Sequence, residues 1–243
     1  MTTSTNDPAA LPASAHQGAR GELMNGAREM APLMIGYLPF GLLLGSAIAR
    51  STEIWAAWSG TVPIYGGSAH LTLVEMLRSG AGLWAAVGAA LLINSRLLVY
   101  SSALIPLLGT ANGFARLIAA AVIIDPTWMM ATRRAERGGT LAQRRAHFAG
   151  AAIVFTACWT FSVSAGVLIG GSQAVSGALA IAGPLCLAAI VVPHLRTPGG
   201  FLAMVAAAGV TLAGSRLPSG TGVLLAMAAA AIVGSIASRR SSC

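Results

Sequence analysis

The chain has 243 residues, 56% of them hydrophobic and 9% charged, where a soluble domain carries about 25% charged residues. Charge that sparse cannot cover a water-soluble globule of this size, and the mean hydropathy of +0.74 agrees. All 15 basic residues are arginines, in a net charge of +8, and they fall between apolar segments as positive charge does in cytoplasmic loops, so nucleic acid is set aside as a partner.

Residues 1–27 are polar and rich in Pro, Ala and Ser, with no apolar core of a signal peptide, and read as a disordered cytoplasmic tail. Apolar segments follow at about 30–49, 54–77, 82–108, 114–132, 147–170, 174–193, 199–214 and 219–237. They are continuous rather than alternating, which argues against an outer-membrane barrel. The expected fold is an all-α, polytopic membrane helical bundle of about eight transmembrane helices, or seven if the seventh segment is re-entrant. A single transmembrane domain over 28–238 would end in a cytoplasmic tail at 239–243.

With the N-terminus inside, eight spans place Arg20, Arg28, Arg78, the Arg133–Arg145 group, Arg196, Arg239 and Arg240 on the cytoplasmic side. Arg50, Arg116 and Arg216 fall outside, a bias in keeping with the positive-inside rule. The expected location is therefore a bacterial cytoplasmic membrane with both termini inside. Trp55, Trp58 and Trp84 sit near span ends as interfacial anchors, and Glu75 faces Arg78 at i,i+3.

Prolines interrupt several spans. Pro63, followed by Gly66 and Gly67, marks the clearest break, where a simple kink and a functional interruption fit the sequence equally. Discontinuous helices near the midplane follow from the functional alternative. Three polar groups fall at similar depth: Tyr65-Gly66-Gly67-Ser68, Asn94-Ser95-Arg96 and Asp125-Pro126-Thr127. A central arginine costs about 3 kcal/mol on insertion scales, so Arg96 needs a counter-charge or an anionic ligand. Asp125 is the one acidic residue expected at its depth. The pair is either structural or part of a solute path. The path places Arg96, Asn94, Ser68, Gly66, Gly67 and Tyr65 against substrate, with Asp125 and His70 as proton-coupling groups. His147 and His194 are expected at the inner surface, and Tyr100 as a packing residue.

No phosphate loop, zinc helix or redox cysteine pair is present, so no catalytic residue, metal or cofactor is expected. Ser68 and His70 hint at an intramembrane hydrolase, but residues i and i+2 of a helix face apart.

At these clusters the chain resembles the AzlC family, the large subunit of branched-chain amino acid exporters. Leu38-Pro39-Phe40-Gly41-Leu42 matches the family's first span, and Gly66-Gly67-Ser68-Ala69 its Gly-Ala-Ser-Gln segment with the Gln lost. Asn94-Ser95-Arg96-Leu97-Leu98-Val99-Tyr100 matches Asn-x-Arg-His-x-x-Tyr with the His lost. Asp125-Pro126-Thr127-Trp128 matches Asp-Glu-Thr-Phe with the Glu lost. The resemblance implies efflux of branched-chain or other small apolar amino acids, driven by the proton gradient. It also implies a small AzlD-type partner of about four spans. A hydrolase and a non-transporting structural subunit stand as the alternatives.

Overall fold

The computed structural model describes residues 18–109, 113–172 and 192–214, with scattered helical positions within 177–185 and 225–237. The helices are α1 (Ala19–Ala49), α2 (Ile54–Ser59), α3 (Gly67–Arg78), α4 (Leu83–Asn94), α5 (Arg96–Leu108), α6 (Gly113–Ala121), α7 (Asp125–Glu136), α8 (Leu141–Ile169) and α9 (Pro198–Ala213). A 3-10 turn, Val192–Arg196, precedes α9.

Glycine builds the centre. A side chain at Gly26 would overlap the His147 backbone, one at Gly41 would meet Ser162, and one at Gly45 would meet Val163 and Gly166. Contacts that advance together along both helices make α1 and α8 parallel neighbours. Lipid gives apolar helices no reason to associate, so close backbone approach supplies the attraction through dispersion. Met30, Met34, Leu44, Phe155, Trp159 and Val163 fill the core between the two.

The next segment does not cross. After α1 ends, Trp58 of α2 donates to Ser164 Oγ at 3.0 Å, near the end where α8 finishes. The chain then dips to mid-depth, where the Tyr65 hydroxyl bonds that of Thr156 and Gly67 packs against Phe40 and Trp159. From there α3 turns back, because His70 Nε2 donates to Ala57 O at 2.9 Å and so returns beside α2. Antiparallel packing of α3 on α4 follows, Ala69 against Ala90 and Ile93, Met76 against Ala86 and Ala89.

A single non-helical residue, Ser95, separates α4 from α5. The two form one 26-residue apolar run that crosses the molecule, and Leu108 O at its far end accepts from Arg145 Nε near the start of α8. A second hairpin rises from that end. Its outgoing arm is α6, its turn is Val122–Ile124, and its return arm α7 brings Arg134 to Glu22 at the start of α1. Thr140 and Gln143 then cap α8 reciprocally, the backbone N–H of each bonding the other's side chain.

Helix boundaries repeat through this region. Ala49 to Ile54 and Leu108 to Gly113 are equal steps, α3 and α7 have 12 residues each, and Arg78 to Leu83 equals Glu136 to Leu141. A long helix plus a re-entrant hairpin therefore occurs twice. The second copy runs in the opposite sense, an inverted-topology repeat.

Several expectations are corrected. The segments expected as spans at 54–77 and 114–132 are hairpins, because α3 and α7 at 12 residues reach only about 18 Å of a hydrocarbon core about 30 Å thick. The segment at 82–108 consequently runs opposite to the direction an eight-span count requires. Among the described residues, the helices long and apolar enough to cross a membrane are α1, the α4–α5 run and α8. The segment at 199–214 matches α9, of 16 residues; those at 174–193 and 219–237, and the 239–243 tail, lie largely or wholly outside the described residues. Within the expected tail, residues from Ala19 onward are helical, since Glu22 and Gly26 have partners in α7 and α8. His147 is fully buried rather than superficial, while the side chain of His194 lies outside the described residues.

Candidate functional site at the meeting of two hairpins

The hairpin turns meet at mid-depth beside the α4–α5 break. In the first turn, Tyr65 adopts a positive φ of 48°, which reverses the chain between helices. Gly66 follows because Asn94 occupies the space a Cβ would need, and Asn94 Nδ2 donates to Ile64 O at 2.9 Å. A fork of α4 thus holds the turn in place. Ser68 is half-buried in the first turn of α3.

The second turn is held by one side chain. Thr127 Oγ1 accepts from Ile124 N–H at 2.9 Å and lies 2.9 Å from Val122 O and 3.1 Å from Ile124 O. Backbone groups freed by the break are satisfied locally, as low-polarity surroundings demand. Pro126 suits the first turn of α7, which needs no N–H donor there.

Asp125 opens α7, where the helix dipole favours a negative charge. Each of its carboxylate oxygens is engaged. Tyr100 donates to Oδ1 at 2.7 Å, and Arg96 Nη1 lies 3.1 Å from Oδ2. Tyr100 also stacks on Trp128, centroids 4.9 Å apart and planes 17° apart. Tyr37 of α1 lies within electrostatic reach of both charges and packs edge-on against Phe155.

The ion pair is open: Arg96 and Asp125 side chains are 39% and 41% exposed. Two buried polar atoms at the α4–α5 break lack hydrogen-bond partners, Arg96 Nε and Asn94 Oδ1, the latter turned toward Gly66. One is a donor on a cation and the other an acceptor, two residues apart in sequence. An unsatisfied buried polar atom costs about 1–3 kcal/mol.

Of the eight residues singled out from sequence, Tyr65, Gly66, Gly67, Asn94, Arg96 and Asp125 lie at the two turns and the intervening break. Ser68 stands at their edge. His70 is drawn away, bonded to Ala57 O along α2, and makes no hydrogen bond to Ser68. Sequence reasoning did not bring Tyr37 or Trp128 to the site and read Tyr100 only as a packing residue. Tyr100 was legible, since it follows Arg96 by four residues and shares its helix face. Tyr37 carried no signal, because only tertiary packing brings α1 to the pair.

Broken helices, a charge pair at mid-depth and long apolar crossing helices define a polytopic membrane protein. The sequence profile described as AzlC protein matches residues 32–172, more than half of the chain and the whole of both hairpins. The chain belongs to the AzlC family, associated with membrane transport of amino acids. No curated protein and no solved structure matches it.

Proposed function

We propose that this chain exports small apolar amino acids, branched-chain ones among them, across a bacterial cytoplasmic membrane, coupled to the proton gradient. The observation that carries the reading is the half-exposed Arg96–Asp125 bridge at the break between the two opposed hairpins. An α-carboxylate would pair with the Arg96 guanidinium, and an α-ammonium with Asp125. Asp125 and Arg96 release one another when the solute supplies replacement charges, and Asp125 carries the proton as the carboxylate at the break. Tyr65, Gly66, Gly67 and Ser68 border the solute on the first hairpin, and His70 is a weaker relay because its Nε2 is already engaged. The half-exposed ion pair supports a solute path over a purely structural subunit, which predicts a sealed one.

The repeat supplies the motion: two hairpins of like construction enter from opposite faces, and loosening one while the other stays docked exposes the centre to each side in turn. Arg20, Arg28, Arg116 and the Arg133–Arg145 group lie at the end where α1 and α8 begin, against Arg50 and Arg78 at the other, so that end is cytoplasmic. A small AzlD-type membrane subunit completes the transporter.

Accumulation of valine, leucine, isoleucine and methionine in cells lacking the protein, complemented by Arg96→Gln or Asp125→Asn, tests the proposal. Both variants should reach the membrane and lose export at least about tenfold, the effect of about 1.4 kcal/mol. Wild-type export by both folded variants sinks it.

A further inference from the structure

A cavity of about 1040 Å³ lies between α5, α6 and α8 and reaches the second hairpin turn at Val122 and Ile123. Its walls are apolar, with Leu104, Leu108, Leu117, Ile118, Phe148 and Ile153 among the lining residues. Leu117, Ile118 and Ile153 are more than half exposed, so the cavity is open along one side rather than sealed. Along α8 it extends from Arg145 to Thr160, about 22 Å at 1.5 Å per residue. Such a wall is a poor route for a zwitterion, which would lose its hydration along it.

Two arginines also line this cavity, Arg116 on α6 and Arg145 on α8. Both belong to the end of the molecule where α5 finishes and α8 begins. Among the described residues neither has an acidic partner; Arg145 is tied through Nε to Leu108 O, which aims it from α8 toward α5. Arg145 Nη2 would lie only 3.5 Å from a Cβ at Gly109, at the start of the α5–α6 connection. The α7–α8 arginines nearby are differently committed, Arg134 to Glu22 and Arg137 to Glu29.

An apolar cleft with two arginines toward one end, neither in an ion pair among the described residues, has the polarity of an amphiphile with an anionic head. We propose that this cleft binds an anionic phospholipid of the leaflet at the arginine-rich end. Arg116 and Arg145 hold the phosphate, and the acyl chains lie along α8 past Phe148 and Ile153. Basic pockets between membrane helices recognise lipid head groups through the same chemistry. Occupancy would brace α6, which has no buried residue of its own, and so tie the second hairpin to lipid composition.

The test uses the full chain purified in detergent, with retained lipid read by native mass spectrometry. Phosphatidylglycerol and phosphatidylcholine are supplied at equal concentration. The wild type should prefer phosphatidylglycerol by roughly ten- to thirtyfold, as two arginines near a head group imply. The double variant Arg116→Gln/Arg145→Gln should bring that preference to near parity, while Arg116→Lys/Arg145→Lys keeps most of it and controls for folding. Ile153→Trp should reduce retention of both lipids by filling the cleft. Equal retention of both lipids by the wild type overturns the proposal, as does an unchanged preference in the glutamine variant. Displacement of the lipid by millimolar inorganic phosphate would assign the arginines to free phosphate instead. Displacement by a co-purified membrane subunit would assign the cleft to a protein partner and likewise overturn it.

Discussion

Two ion pairs tie the start of α1 to the α7–α8 region, and their burial separates them. Arg134 meets Glu22 in a two-bond fork at 2.9 and 2.8 Å, further held by Gly138 O at 2.6 Å, with side chains only 8% and 5% exposed. Arg137 meets Glu29 at 2.7 Å with 55% and 39% exposed. Removing one partner of a buried pair strands the other charge and costs about 3–5 kcal/mol. An exposed pair contributes at most about 1 kcal/mol. Glu22→Ala should therefore lower the thermal midpoint of the detergent-solubilised protein far more than Glu29→Gln; equal shifts would contradict this ranking. At this scale the sequence was partly readable. The Arg96–Asp125 pair and the i,i+3 contact of Glu75 and Arg78, at 3.0 Å, follow from charge scarcity and spacing. The Glu22–Arg134 fork does not, because its members lie far apart in the chain and a polar stretch with no apolar periodicity gives no sign that it will pack.

Among elements, the α1–α8 pair is the frame against which both hairpins are set. Gly45 and Gly166 face each other across it so closely that either Cβ would strike backbone. Backbone cannot rotate aside as a flexible side chain can, so overpacking here costs about 1–3 kcal/mol or more. Gly45→Leu and Gly166→Leu should each collapse the monodisperse peak of the protein in size-exclusion chromatography, whereas Gly36→Leu, with open space around it, should leave it intact. A surviving peak in both core variants would mean the helices are not in register as described. Glycine abundance was visible in the sequence, but which glycines are contacts was not, since that depends on which helix arrives opposite. The breaks at Pro63–Gly66 and Asp125–Pro126 were visible as well. What composition could not tell is whether a broken apolar segment continues across or turns back: both have the same hydropathy.

For the whole molecule, this ambiguity changes the topology. An eight-span arrangement puts Ser79 on the same side as Glu136, whereas two opposed hairpins put them on opposite sides. Both residues are exposed. In a background with Cys158, Cys186 and Cys243 replaced by serine, Ser79→Cys should react in intact cells with a membrane-impermeant maleimide. Glu136→Cys should react only after the membrane is opened. Labelling of both from one side would restore the eight-span arrangement.

The inverted repeat has a consequence for biogenesis. Turned over, the region from α1 to α7 offers the insertion machinery nearly the same outline, so shape gives little instruction about which way up to enter the bilayer. Direction is left to a handful of guanidinium groups. A chain that keeps Arg134 for Glu22, loses Arg133, Arg137, Arg144 and Arg145, and gains arginines beside Arg50 and Arg78 should fold around the same frame and face the other way.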